Sequence, residues 1–190
     1  TQQPTFMISS NDQTPHNTED KKWWLTHGEK LEARFVDLAK SSLNLDVQIN
    51  PQKVEDPTAP DLLYNGQIAD LKTQNTPFFT ASSYKYDPRH TVTFNRKDYI
   101  RYSELYPELS IFFWIDWTQL SWKKNRIEYL GGIYHAPFSH IASYIESGKS
   151  PEHKYIRRQD DRMGNAKSSF LLDVRAFDCL LSLRGRQSTK

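Results

Sequence analysis

The sequence predicts a mixed α/β domain, in which a central mixed β-sheet is flanked by helices. Apolar residues recur at helical spacing within 27–43. An Asn65-Gly66 pair separates two strand-like segments and is typical of a β-hairpin turn. The run "LSIFFWIDW" at 109–117 is typical of a strand buried on both faces. Helix, strands, helix and further strands along the chain indicate one such domain.

The helical segments have identifiable starts and ends. Thr26 and Glu29 have the spacing of a capping box, so the first helix is expected to begin near His27. Asn95 and Asp98 are expected to start a second helix, which Pro107 ends. A third helix is expected over 137–148, with Ser139 as its N-cap and Gly148 at its end.

The remaining segments alternate between strands and loops. Besides the hairpin and 109–117, strands are expected in 43–50, 91–94, 126–134 and 168–177, and loops in 51–60 and 76–90. Residues 1–20 are polar and aperiodic, which predicts a flexible N-terminal arm. Residues 21–190 are then expected to form a single domain.

Composition limits the classes of protein to consider. The net charge of +2 is only a weak indication of a polyanionic partner, and the 13% aromatic content argues against a disordered chain. Cys179 is the single cysteine, so no internal disulfide forms and a reducing, cytoplasmic setting is expected. No apolar run is long enough for a membrane span, and the first residues do not resemble a signal peptide.

The hairpin places two acids opposite each other. With a two-residue loop at 65–66, Tyr64 faces Gln67, and Asp61 falls opposite Asp70. Opposed residues on paired strands have Cβ atoms about 4.5–5.5 Å apart, so the two carboxylates repel. A divalent cation between them would compensate that repulsion.

Lys72 joins the same face of the hairpin, since it lies two residues after Asp70 on one strand. Magnesium prefers hard oxygen ligands and retains several waters. A metal held by two carboxylates binds phosphate and lowers the pKa of a bound water, and a nearby ammonium group positions that water or neutralises phosphate charge.

Pro60-Asp61 and the triplet "DLK" at 70–72 resemble the PD-(D/E)XK nuclease superfamily. The resemblance implies a restriction endonuclease-like core, with Asp61 and Asp70 as ligands of Mg²⁺, or of Mn²⁺ in its place, and Lys72 assisting the attacking water. The spacing of Gly28 and Glu32 is similar to that of the helix that contributes a further acid in the family. Glu32 is therefore expected to assist the metal directly or through water, and Gln74 is a candidate accessory residue.

The expected function is that of a Mg²⁺-dependent endonuclease that hydrolyses DNA, with a site-specific restriction-type enzyme first. A Holliday-junction resolvase, a mobile-element nuclease, a non-catalytic nucleic-acid-binding module and a protein-interaction domain stay open, as does homodimerisation. The long loop at 75–94 is expected to contact DNA through Lys85, Arg89 and His90, because it follows the catalytic strand directly. Further basic clusters lie at 123–126 and 154–158.

A second nuclease pattern departs in its details from the family that it resembles. Gly132-Ile133-Tyr134 and residues 144–146 resemble the GIY-YIG nucleases, but the second triplet ends in Glu146, and its spacing indicates a helix where that family has a strand. No Cys/His spacing indicates zinc, and no glycine-rich phosphate loop is present. Asp116, at the end of an apolar strand, is interpreted as structural.

Overall fold

The computed structural model describes residues 21–155 and 168–183, so the predicted arm at 1–20 and part of the basic cluster at 154–158 lie outside the described residues. The helices are α1 (Lys21–Leu43), α2 (Arg96–Leu105) and α3 (Phe138–Glu146). The strands are β1 (Val47–Ile49), β2 (Leu62–Tyr64), β3 (Gln67–Gln74), β4 (Thr91–Asn95), β5 (Ser110–Asp116), β6 (Ser121–Trp122), β7 (Asn125–Arg126), β8 (Gly131–Pro137), β9 (Glu152–Lys154), β10 (Ser168–Asp173) and β11 (Asp178–Leu183).

A six-stranded sheet forms the centre, in the order β1-β2-β3-β5-β8-β11. β3 and β5 run parallel, and the other neighbouring pairs are antiparallel. A three-stranded antiparallel sheet, β4-β10-β9, and the small β6-β7 ribbon complete the strands of the described residues. The predicted mixed sheet with flanking helices is therefore confirmed.

β5 shows why this sheet is buried on both faces, because its alternate side chains belong to two separate cores. Phe112 and Trp114 pack with Phe35 of α1 on one face. Ile111, Phe113 and Ile115 pack on the opposite face with residues of α2, α3, β4 and β10. Since Asp70 pairs with Ile111 and Lys72 with Phe113, the two charged residues of β3 point to the second face.

Helix boundaries correct two predictions. α1 begins at Lys21 and not near His27, so Thr26 and Glu29 lie inside the helix and form no capping box at its start. The N-cap of α3 is Pro137, without a side-chain cap, and not Ser139. Asn95 does cap α2, since its side chain accepts a hydrogen bond from the Lys97 amide at 2.8 Å. Gly148 follows α3 with a φ of 76°, as expected of a terminating glycine.

Two predicted strands have different limits. The segment 126–134 is not one strand: β7 ends at Arg126, and β8 starts at Gly131 after an irregular connection. In the segment 168–177, the strand ends at Asp173 and is followed by a short 3₁₀ turn at Val174–Ala176. This turn leads into β11, a strand that the sequence pattern did not predict. No helix within the described ranges is both long and apolar enough to cross a membrane.

Candidate active site

The hairpin has the predicted register. Asn65 and Gly66 have positive φ values of 49° and 76°, as a type I′ turn requires. Tyr64 pairs with Gln67, and Leu62 pairs with Ala69. Asp61 directly precedes β2, and its Oδ2 accepts a hydrogen bond of 3.4 Å from the amide of Leu71. The turn therefore brings the Asp61 carboxylate to the part of β3 that carries Asp70.

Asp70 is a buried carboxylate, with 3% of its surface exposed. Its Oδ2 lies 2.6 Å from Nζ of Lys72. Burial raises the pKa of Asp70, the Lys72 ammonium lowers it, and the charge of Asp61 raises it again, so the net direction is upward. The charge of Asp61 thus disfavours the ionised form of Asp70.

Lys72 is held by groups from β3 and α2. Its Nζ lies 2.7 Å from Oδ2 of Asp98 and 3.4 Å from the Tyr102 hydroxyl, and 5.5 Å from the centre of the Tyr102 ring. Burial lowers the pKa of Lys72, but Asp70, Tyr102 and Asp98 outweigh that effect, and the pKa lies well above its ordinary value. Lys72 is therefore a fixed positive charge at neutral pH.

Lys53 links the other two predicted acids. Its Nζ lies 2.6 Å from Oε1 of Glu32 and 2.7 Å from Oδ1 of Asp61. Burial lowers the pKa of Lys53, whereas hydrogen bonds and charge from Asp61 and Glu32 raise it, and the net direction is upward. The structure thus brings Glu32 and Asp61 together, but with an ammonium group between them.

Asn50 places Lys53 at this position. The Asn50 side chain caps the 3₁₀ turn Pro51–Val54 through the Gln52 amide at 3.1 Å and donates to the Pro60 carbonyl at 2.8 Å. The backbone amide of Asn50 also donates to the backbone carbonyl of Asp61 at 2.9 Å. Because Asn50 is 2% exposed and bonded on both sides, the turn that carries Lys53 is fixed next to Asp61.

Four members of this cluster were not predicted from the sequence as site residues, namely Lys53, Asp98, Arg101 and Tyr102. The three on α2 had a usable signal, since positions 98, 101 and 102 share one helical face. In the structure, an Arg101 Nη2 atom lies 3.3 Å from Oδ1 of Asp98 and donates to the Tyr102 hydroxyl at 3.0 Å. The sequence contained no such signal for Lys53, because Lys53 is far in sequence from Glu32 and belongs to a segment predicted as a loop.

The donor groups fit a hard cation with few protein ligands. Within 21–155 and 168–183, no cluster of three or more His, Cys, Asp or Glu side chains is arranged to hold a metal ion. Asp61 and Asp70 remain a pair of carboxylates that repel each other, which is the donor chemistry that Mg²⁺ uses when water and phosphate oxygens complete its shell. Glu32 is bound to the ammonium group of Lys53, and Lys53 connects it to Asp61.

The predicted accessory residue Gln74 has a structural task. Its amide donates to the Thr93 carbonyl at 2.9 Å, and its carbonyl accepts from the Thr93 amide at 3.2 Å. These two bonds fasten β3 to β4, because Thr93 belongs to the smaller sheet. An accessory role for Gln74 in chemistry remains a prediction.

Two of the three predicted DNA-contacting residues line a cavity of about 500 Å³. Arg89 and His90 line it, but Arg89 forms an ion pair with Glu128 at 3.1 Å, and His90 contacts Asp87 at 2.6 Å. The cavity is also lined by Lys124 and Arg126, both exposed on or beside the β6-β7 ribbon. Lys85 is exposed after the 3₁₀ turn Ala81–Tyr84.

Two other motifs have structural positions. Residues 132–134 lie in β8 and 144–146 in α3, so the second triplet is helical as expected. Asp116 is buried and accepts a hydrogen bond from the Tyr129 hydroxyl at 2.8 Å. This contact ties the end of β5 to the connection before β8, which agrees with the structural interpretation of Asp116.

No protein-family model and no curated protein matches this sequence. Among solved structures, the chain is similar to that of a nuclease from a fusselovirus, with 11% sequence identity and a TM-score of 0.40. The similarity covers 89% of this chain and 91% of the other. A likeness at that identity and TM-score carries no argument about function, which has to come from the side chains of the cluster around β3.

Proposed function

We propose that this protein is a metal-dependent nuclease that hydrolyses phosphodiester bonds in DNA. One observation supports the proposal: the Asp61 carboxylate accepts a hydrogen bond from the Leu71 amide, next to Asp70 on β3, and the Lys72 ammonium lies 2.6 Å from Asp70. Asp70 is buried, and burial together with the charge of Asp61 raises its pKa, so a carboxylate kept at this position favours a functional role.

In this proposal, Asp61 and Asp70 hold Mg²⁺, which supplies Lewis-acid charge and lowers the pKa of a bound water. Lys72 favours the ionised form of the Asp70 carboxyl and orients it, since the ammonium lies 2.6 Å from Oδ2. Asp98 and Tyr102 hold Lys72 in turn, so that its positive charge is fixed before substrate arrives. Catalysis would rest on positioning and charge stabilisation.

A non-catalytic nucleic-acid-binding module is the second candidate. It is favoured by Lys53, whose ammonium already neutralises two of the three predicted metal ligands. That module would bind DNA without needing a divalent cation and would leave its backbone intact.

Digestion of linear, supercoiled, branched and single-stranded DNA separates the two candidates. We expect cleavage with Mg²⁺ or Mn²⁺ and none with EDTA. Mapping of the ends then distinguishes the finer proposals, because a restriction-type enzyme cuts at one sequence and a junction resolvase cuts at the branch. Binding without cleavage of any substrate, in either metal, would favour the module.

The cavity beside the β6-β7 ribbon is the proposed contact for the DNA backbone. It is lined beyond the end of β5 by Lys124 and Arg126, and Trp122 of the same ribbon is 40% exposed. Aromatic and basic side chains together are typical of single-strand and backbone contacts.

Replacing both Lys124 and Arg126 by Ala is expected to weaken DNA binding in EDTA and to reduce the slope of log affinity against log salt by about 2, or about 0.9 for each lost phosphate contact. Fluorescence anisotropy over a salt series measures this slope. The matched control replaces Lys30 and Lys40, which are exposed on α1. An unchanged slope in the Lys124/Arg126 variant would place the DNA elsewhere.

A further inference from the structure

Lys53 occupies the position in which a bridging cation would contact Glu32 and Asp61. Its Nζ is within 2.7 Å of one oxygen of each carboxylate, and the three side chains are only 12–22% exposed. Asp61 therefore uses Oδ1 for Lys53, while its Oδ2 faces the Leu71 amide on the strand of Asp70. One carboxylate is shared between a resident ammonium group and the proposed metal position.

From this geometry we infer that Lys53 is a built-in competitor of the divalent cation, which limits metal affinity and keeps Glu32 out of the metal's first shell until the ammonium group moves away. The inference deepens the proposed function and rests on its metal position. It predicts a site that binds one metal ion weakly through Asp61 and Asp70, and that gains Glu32 as a ligand only when Lys53 is displaced.

The local charge supports competition. The cluster contains four acids and three cations, namely Glu32, Asp61, Asp70 and Asp98 with Lys53, Lys72 and Arg101, for a formal charge of −1. Without the Lys53 charge it would be −2. A divalent cation would then meet a more negative site and two additional free carboxylate oxygens, and both changes strengthen its binding.

Lys72 cannot take the same role, because one of its two carboxylate partners, Asp98, is not a predicted metal ligand and would continue to hold the ammonium. Lys53 is attached more simply: both of its carboxylate partners are also the groups that a metal would recruit. The short turn at 51–54 is fixed by Asn50, but the long, flexible lysine side chain allows the ammonium to swing toward solvent.

Direct metal binding tests the inference without using cleavage. We expect Lys53→Met to bind Mn²⁺ at least about tenfold more tightly than the wild type in titrations followed by electron paramagnetic resonance, since a unit charge within 3 Å of the ligands is removed. Lys53→Arg keeps the charge and is expected to keep the weaker binding. Lys40→Met is the matched control, because Lys40 is exposed on the helix that carries Glu32. Equal or weaker Mn²⁺ binding by Lys53→Met would overturn the inference.

A second measurement uses the wild-type protein and does not depend on whether Lys53→Met folds. The ammonium group of Lys53 is expected to become more reactive toward an amine-acylating reagent when Mg²⁺ is added, because the metal releases it from its carboxylates. Peptide mass spectrometry reads the labelling at Lys53, with Lys40 as the internal reference. Labelling that does not change with saturating Mg²⁺, or wild-type and variant proteins that bind no Mn²⁺, would also overturn the inference.

The two proposals fail in different ways. If the wild type cleaves DNA but Lys53→Met shows no gain in Mn²⁺ affinity, the nuclease assignment stands and the competitor role is wrong. If Lys53→Met gains affinity but no DNA is cut by either protein, the metal position and the role of Lys53 stand, and the nuclease assignment is wrong.

Discussion

Asp70→Asn is expected to reduce DNA cleavage by at least about 100-fold, the scale on which the loss of one charge-stabilising group acts in an active site. Asparagine has nearly the same shape as aspartate but carries no charge, so it is a poor ligand for a hard cation. Lys72 keeps Asp98 at 2.7 Å in this variant and is not left without a partner. The variant therefore isolates the charge of Asp70 from its packing.

Asp70→Asn is also expected to fold at least as stably as the wild type near neutral pH. Burial and the charge of Asp61 outweigh Lys72 and raise the pKa of Asp70. A carboxyl whose pKa is higher in the folded state contributes stability below its unfolded value, about 4, and loses that contribution as pH rises through the folded value. Where Asp70 is ionised, its charge thus lowers the free energy of unfolding, and the neutral amide of asparagine removes that cost.

Plasmid nicking at saturating Mg²⁺ and chemical denaturation measure the two effects on the same preparations. Asp37→Asn, which changes an exposed aspartate of α1, is the matched control and is expected to leave both quantities unchanged. Cleavage by Asp70→Asn at the wild-type rate would show that this carboxylate is not part of the catalytic site. Asp70→Asn and Asp37→Asn should both retain DNA binding in EDTA, since neither residue lines the cavity beside the β6-β7 ribbon.

The hairpin could be predicted from sequence because everything that determines it is local. Asn65 and Gly66 tolerate the positive φ values of the turn, and a two-residue loop leaves one register for the strands that follow. The position of Asp61 beside β3 and the shared face of Asp70 and Lys72 are consequences of that register. Short-range stereochemistry alone was sufficient for this half of the site.

The other half depends on contacts between segments that are distant in the chain, and no local pattern encodes them. Lys53 reaches Glu32 across 21 residues, and Lys72 reaches Asp98 across 26 residues. Asp98 was assigned to the start of α2, where an acid is favoured by the helix dipole, and this local explanation concealed its second role. β11 was missed for a similar reason, since the turn at 174–176 interrupts the apolar pattern.

Lys72→Met is expected to give the largest loss of stability, about 3–5 kcal/mol, because breaking a buried ion pair from one side leaves its partner's charge uncompensated. Methionine keeps most of the apolar stem of lysine but loses the ammonium group, which lies 5.5 and 5.9 Å from the ring centres of Tyr102 and Phe94. What disappears is the ammonium between Asp70 and Asp98, whose distances of 2.6 and 2.7 Å identify it as their common partner. Cleavage should be lost as well, since Asp70 would no longer be held in its ionised form.

The pH dependence of this loss identifies its cause. Without Lys72, the pKa of Asp70 is expected to rise further, because the group that lowered it is gone. At low pH the Asp70 carboxyl is then neutral and does not reduce the stability of the fold. As pH rises, the carboxyl becomes charged without a compensating partner, and this reduces the stability. The difference in unfolding free energy between wild type and Lys72→Met should therefore be smaller at pH 5 than at pH 8. A difference that does not vary with pH would indicate that Lys72 contributes through packing and not through charge.

A double-mutant cycle measures the coupling between the charges of Lys72 and Asp70. Combining Lys72→Met with Asp70→Asn removes both members of the pair, so the double variant should recover a substantial part of the stability that Lys72→Met loses. Lys72→Met combined with Asp37→Asn should recover none, since Asp37 lies exposed on α1. If the effects of Lys72→Met and Asp70→Asn simply added, the two charges would be energetically independent. The proposed role of Lys72, which is to keep the Asp70 carboxylate ionised for a metal ion, would then have no basis.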